Sequence, residues 1–363
     1  MASTKLSADV NHFPSITWHH LHINHGHFEG TVDSGAEAKI SSLPNCIVLQ
    51  KKRLSEVYGN DLHVETQLGK KFDSDIDVMM ESNAIPVNEF TVGANKKCLL
   101  PVKISYKPEN GTFTAADTVI VAENGSESTF IFEYTSDKNV SGVFGNRIRV
   151  HCAENAVVHI VTVNILGKGI VHYNGIGSMV SDSGRVDLIQ IELGGKETFS
   201  GSYHNLYGYK SSCNVQGGYA VQGESQLDIN YVAHQSGRES DSFSFFNGVL
   251  MDNAKKAWRG SIDFERDAKD AKGDEQENVL LLSPSVVNKS MPVILCDEED
   301  VEGRHGGTIG RLGEDELLYL ETRGIDEMTA RSMMIKSKIN AVARFIPDEE
   351  VVKKVQDYLE ENL

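Results

Sequence analysis

The feature that most constrains the fold is the return of turn residues ahead of strand-like runs. Small or polar residues precede such runs at Gly125-Ser126-Glu127, Glu154-Asn155-Ala156, Ser183-Gly184-Arg185 and Gly223-Glu224-Ser225. With Gly125, Asn155, Gly184 and Gly223 as markers, the intervals are 30, 29 and 39 residues. A period of that length marks a solenoid, in which no unit buries its own face and stacking creates the core. The units here are strands: Thr118-Val119-Ile120-Val121, Thr129-Phe130-Ile131-Phe132 and Val157-Val158-His159-Ile160-Val161 are examples. Glycine is frequent (32) and proline scarce (8), which suits many tight turns and uninterrupted ladders. A β-helix is the expected architecture from about residue 30 to 295, with a β-sandwich as the competing all-β answer. Only Lys52–Tyr58 reads as a short helix inside it.

Near residue 312 the hydrophobic period changes from strand to helix. A short helix begins around Glu314-Asp315-Glu316 and stops near Gly324. Asp326 to Thr329 cap a longer one, whose apolar positions are Ala330, Met333, Met334 and Ile339 to Ala343. Pro347 opens the last, with Val351, Val352, Val355 and Leu359 on one face. The expected division is a strand-rich N-terminal segment (1–95), a parallel β-helix core (96–310) and a small C-terminal all-α domain (311–363).

Composition narrows the function. With 52 acidic and 35 basic residues the net charge is -17, which disfavours nucleic acid and anionic membranes as partners. No stretch reaches the ~20 apolar residues of a membrane span, and the first residues lack an apolar secretory core, so the expected location is cytoplasmic. No phosphate-binding loop, dinucleotide fingerprint, zinc-protease motif or nucleophile elbow occurs. The five cysteines (46, 98, 152, 213 and 296) are widely spaced without a CxxC pair, which argues for reduced, mostly buried thiols and against a disulfide framework. Alternation over residues 20 to 23 suggests a strand with His20 and His22 on one face and no helper carboxylate nearby.

The densest chemistry lies between Asn278 and Ile325. An apolar run leads to Pro292 and a strand ending at Cys296. An acidic patch (Asp297 to Asp300) follows, then a Gly-rich turn around His305, then the helix that stops at Arg323-Gly324. The series Asn278-Val279-Leu280-Leu281-Leu282-Ser283, Pro292-Val293-Ile294, His305-Gly306-Gly307-Thr308, Leu318-Tyr319-Leu320 and Arg323-Gly324-Ile325 resembles the C-terminal core of the SufB/SufD family. These are the scaffold proteins of SUF iron–sulfur cluster assembly. Trp258-Arg259-Gly260-Ser261-Ile262 and Ala233-His234 extend the resemblance, and Trp18, Leu21 and Asn24 resemble its entry segment.

The resemblance implies a right-handed parallel β-helix with a C-terminal helical domain. It implies a non-enzymatic subunit that pairs through its β-helix, as a homodimer or with a SufB/SufD-type sister. It also implies docking of a SufC-like ABC ATPase at Tyr319, Arg323, Gly324 and Ile325. No resident cofactor is implied, only a transiently held iron–sulfur cluster. Of the family's cluster-handling side chains His305 alone carries over, with Cys296 as a substitute thiolate. Gly306 stands where SufB has a glutamate, Gly303 where SufD has a cysteine, and the SufB strand cysteine falls near Val286. A β-helix enzyme acting on acidic polysaccharides, or a purely structural interaction protein, are the competing functions.

Overall fold

The computed structural model describes residues 4–14, 22–32, 34–58 and 84–362. A hairpin of β1 (Thr4–Val10) and β2 (Gly26–Val32) comes first, then the two-residue β3 (Ser34–Gly35). After it the strands fall into two sheets, and from β6 onward the chain alternates between them. One holds β5 (Ile47–Lys52), β6 (Val87–Val92), β8 (Thr112–Ala122), β10 (Ser141–Cys152), β12 (Gly169–Val180), β14 (Glu197–Leu206), β16 (Gln226–Gln235), β18 (Lys255–Phe264) and β20 (Val287–Cys296). The other holds β4 (Lys39–Ser42), β7 (Val102–Tyr106), β9 (Glu127–Thr135), β11 (Val157–Ile165), β13 (Arg185–Glu192), β15 (Ser212–Val221), β17 (Asp241–Leu250), β19 (Ala271–Leu281) and β21 (Val301–Arg311). From β6 and β7 onward each strand pairs in parallel with the strand two places away, giving a parallel β-solenoid of about eight turns.

One corner of each turn carries a left-handed residue: Asn95, Gly125, Asn155, Ser183, Lys210, Glu239 and Asp270 have φ between 53° and 68°. Their amides form a ladder along the solenoid. Gly125 N–H donates to Glu154 O, Asn155 to Asp182 O, Ser183 to Tyr209 O and Lys210 to Arg238 O. Asn, Asp and Gly fit such positions because they tolerate positive φ at little cost. Gly223 (φ 64°) belongs to the opposite corner, where Asp252 (φ 57°) is its neighbour in the next turn. The 39-residue interval therefore mixed two corners, and the true spacing along one corner stays near 30 throughout.

Three apolar layers result. Inward residues such as Phe130, Ile160, Ile176, Leu188, Val215, Ile229 and Trp258 fill the bore. The outer face of the first sheet is covered by Val10 and Phe28 of the hairpin and by Leu54 and Val57 of the short helix α1 (Leu54–Tyr58). Beneath that cover Asp117 is fully buried, with Arg147 at 2.5 Å and Arg149 at 2.9 Å. Burial would raise its carboxyl pKa, but the two guanidinium charges outweigh it and hold it below the usual range.

The outer face of the second sheet is covered by helices. After α2 (Glu314–Thr322) come α3 (Glu327–Ala343) and α4 (Glu349–Asn362). Ile335, Ile339, Val342, Val351, Val355 and Leu359 pack on Ile131, Val161, Val163, Ile191, Ala220 and Val249. Burying each such side chain contributes roughly 1.5–3 kcal/mol. The local signals were accurate: Asp326 caps α3 by accepting the Thr329 N–H at 2.8 Å, and Gly324 takes φ 80° where α2 ends. The face was misread at Met333 and Met334, which are exposed, while Ile335 is buried instead.

Cysteine usage also differs from expectation. Cys46 and Cys98 form a disulfide, their Cα atoms 6.1 Å apart. They lie 52 residues apart in the chain, and only the pairing of β5 with β6 and of β4 with β7 makes them neighbours. Cys152 and Cys213 are the buried free thiols expected, both pushed up to about 12 by burial.

Candidate functional site

The last turn of the solenoid, β20 and β21, ends both sheets. In β21 most residues are exposed, including Ile309 at 57%. Pro292 sits in β20, where a strand lacking one N–H is tolerated because only one side is paired. The segment expected as a Gly-rich turn around His305 is instead continuous strand, in register with β19 from Val301 to Arg311. Glycine weakens a strand without forbidding it, and the ladder supplied by β19 decides the conformation. A Cβ on Gly306, Gly307 or Gly310 would meet nothing within 4 Å.

Parallel in-register partners share a face, so the register shows what lies beneath each residue. His305 stands over Glu275, and Cys296 stands over Phe264. Both partners face the bore, so His305 and Cys296 line its open mouth from opposite sheets. Cys296 is exposed, and its thiol donates to the Glu298 carbonyl at 3.0 Å. The acidic patch is a corner organised by Glu298, whose carboxylate accepts the N–H groups of Asp267, Glu299 and Asp300. Those bonds, led by the one from Asp300, hold its carboxyl below the usual range. Phe264, Ile294, Val301 and Gly303 complete a recess beside Cys296.

Polar groups continue inward. Glu275 is buried, and one carboxyl oxygen accepts the Val293 N–H at 3.1 Å while the other has no hydrogen-bond partner. Burial pushes its pKa well above the usual value. In the same turn Lys256 and Glu277 form an ion pair at 2.5 Å, both fully enclosed. The Tyr219 hydroxyl donates to Glu277 at 2.6 Å, and Lys256 donates to Ser290 at 3.0 Å. Burial lowers the Lys256 pKa despite the carboxylate beside it. Sequence reasoning missed this network. Lys256, Glu275 and Glu277 sit at inward positions of β18 and β19, a pattern visible only once strand phase is known.

Among the described residues no third metal-capable side chain joins His305 and Cys296. Among the described residues, the one group of three or more metal-capable side chains with donor atoms within 4.8 Å of one another is His234, Asp263 and Glu265. The other singled-out residues lie on the helices. Tyr319 is 59% exposed with the Arg323 guanidinium 5.3 Å from its ring centre, Gly324 is exposed and Ile325 is half-buried. Leu318, Met328 and Met333 extend this exposed apolar surface.

The N-terminal histidines depart from expectation. Trp18, His20 and Leu21 lie outside the described residues. His22 lies in no strand and has φ 47°. A carboxylate does stand beside two of the later histidines: Asp9 lies 2.9 Å from His27 and 3.4 Å from His25. The hydrogen bond between Asp9 and His27 lowers the pKa of the carboxyl and raises that of the imidazole.

A parallel solenoid ending in an uncovered turn, with polar groups leading into its bore and an exposed helical turn beside it, defines the class of protein. Residues 105–338 match the profile described as "SUF system FeS cluster assembly, SufBD core domain". The chain belongs to this SufBD family of iron–sulfur cluster assembly proteins. It is 28% identical over 274 residues to the iron–sulfur cluster assembly protein SufD of Bacillus subtilis, covering 74% of this chain and 62% of that protein. It is 23% identical over 268 residues to the chloroplastic SufBD family protein ABCI8 of Arabidopsis thaliana, covering 70% and 48%. Against SufD of Escherichia coli it is 21% identical over 232 residues, covering 64% and 55%. The chain thus matches about half to six-tenths of the length of these relatives. Among the described residues no helix is long and apolar enough to cross a membrane.

Proposed function

We propose that the chain is a non-catalytic scaffold subunit of a SUF-type assembly complex, pairing through the last turn of its solenoid and docking a SufC-like ABC ATPase on its helical surface. The observation that carries this reading is the pair of long edges left unpaired among the described residues, β20 with 10 residues and β21 with 11. An edge of that length offers a row of amides and carbonyls to another strand. The partner is a second copy or a SufB/SufD-type sister. The exposed Leu318, Tyr319, Met328 and Met333 beside Arg323, Gly324 and Ile325 form the surface for the ATPase. His305 and Cys296, at the mouth that pairing would enclose, contact iron or a passing cluster.

Two measurements test this. Light scattering of the chain, alone and with a SufB-type subunit and a SufC-type ATPase, is expected to show a pair that Ile309→Asp disrupts and an ATPase complex that Tyr319→Ala weakens. A strict monomer under all these conditions would overturn the reading. Anaerobic iron and sulfide reconstitution followed by absorption spectroscopy, comparing the wild type with His305→Ala, reports on the mouth separately.

A further inference from the structure

We propose that His234, Asp263 and Glu265 form a binding site for one divalent transition-metal cation on the outer face of the first sheet, apart from the mouth of the bore. The placement follows from strand register. His234 of β16 and Asp263 of β18 are direct partners in neighbouring turns. Glu265 lies two residues beyond Asp263, on the same side of the chain, and its N–H is tied to the Gln235 carbonyl at 2.9 Å. Alternation puts Leu227, Ile229, Tyr231 and Ala233 into the bore, so His234 and its partners face outward.

The donors are already gathered. His234 Nδ1 and Asp263 Oδ2 are 2.8 Å apart, and one ligand atom from each of the three residues lies within 4.8 Å of the others. Donors bound at about 2.0–2.2 Å to a common ion stand roughly 3–4 Å apart, so adjustments of about an ångström complete the site. All three side chains are half-buried, with His234 at 20% and Asp263 at 25% exposure. That shelters the site while leaving a path for an ion. The Tyr203 ring stacks on the imidazole at 6.0 Å and 21° and fixes its orientation. Asn205, the register partner of His234 on the other side, has a buried Oδ1 with no hydrogen-bond partner. That oxygen is placed as a fourth donor or as the acceptor for a metal-bound water.

The donor set names the ligand class. One imidazole and two carboxylates suit Zn²⁺, Fe²⁺, Co²⁺ or Mn²⁺. Ca²⁺ favours six to eight oxygens and Mg²⁺ keeps most of its waters, so neither matches this set. The site needs no assumption about the SUF role and stands if that role fails.

The test is Co²⁺ titration of the chelator-stripped full chain, read by visible absorption, with Zn²⁺ displacement followed by calorimetry. One equivalent is expected to bind with the spectrum of nitrogen and oxygen ligation. Asp263→Asn, Glu265→Gln and His234→Ala are each expected to weaken it at least tenfold. The double variant His305→Ala/Cys296→Ser and the double variant His25→Ala/His27→Ala are expected to retain it. Thermal melts of the stripped variants report folding, and the two isosteric changes keep the test valid if His234→Ala is unstable. No stoichiometric Co²⁺ binding by the wild type would overturn the site. So would unchanged binding in the folded Asp263→Asn and Glu265→Gln variants, or loss of binding in either control.

Discussion

The two ends of the solenoid are finished differently. At the N-terminal end the last strands are short and run against their neighbours: β4 has 4 residues and β5 has 6, both antiparallel. Both carry lysines (Lys39, Lys51 and Lys52), and the Cys46–Cys98 disulfide lies at the same end. Short, charged edge strands are a common way to prevent one sheet from pairing with another. At the C-terminal end β20 and β21 are long, parallel and largely uncovered. Among the described residues the solenoid is blunted at one end and open at the other, the asymmetry that the proposed pairing uses. The contrast also predicts where substitutions are felt.

The largest expected effect is under the N-terminal cover. Asp117→Ala removes the carboxylate that two buried guanidinium groups share and should cost roughly 3–5 kcal/mol in urea unfolding. The counterpart at the open end, Glu302→Ala beside Arg304 at 3.8 Å and exposed, should change stability by less than about 0.5 kcal/mol. Equal effects at both sites would erase the comparison. Glycines give the next contrast. A Cβ on Gly248 would run into the Tyr219 ring, so Gly248→Ala should cost about 1–3 kcal/mol. Gly307→Ala meets open space and should be neutral or stabilising by up to about 1 kcal/mol in thermal or urea melts of the isolated chain.

Acid should act on the closed turns rather than the open one. Burial lowers both His172 and His204 from 6.5 to about 4. Each therefore contributes stability that is complete above pH 6.5 and is lost as pH falls from 6.5 towards 4. Glu192, raised from 4.5 to about 6 by burial, has the opposite sign: its contribution is present below 4.5 and lost as pH rises through 6. Glu275, also raised by burial, opposes the histidines in the same way, so their contribution is read by difference: the free energy of urea unfolding lost between pH 7 and pH 5 should be smaller by roughly 1–2 kcal/mol in each of His172→Gln and His204→Gln than in the wild type. An unchanged pH dependence in both folded variants would show that the histidines titrate normally. The corner ladder gives a modest effect: Asn155→Val, at φ 56°, should cost about 1 kcal/mol or slightly more, while Asn155→Gly should cost little.

Much of this architecture was legible where the signal is local. Turn residues at one corner, the stop at Gly324, the cap at Asp326 and the helical period after residue 312 depend on neighbours a few positions away. The errors arise where distant chain decides. His305 was read as a turn because Gly306 and Gly307 flank it, yet β19 imposes a strand. Met333 looked like core until packing chose Ile335. Gly223 looked like the next marker because nothing in the sequence tells one corner of a turn from the other.

By itself the sequence determined that this chain is mainly β with a helical end and favoured strands stacked at a period near 30, because backbone preference and hydrophobic alternation are short-range properties. Only the tertiary structure decided what those strands bring together. It placed His305 over Glu275, closed Lys256 on Glu277, joined Cys46 to Cys98 and set His234 against Asp263. Each meeting depends on register between segments about 20 to 50 residues apart, where a slip of one position turns every side chain to the other face.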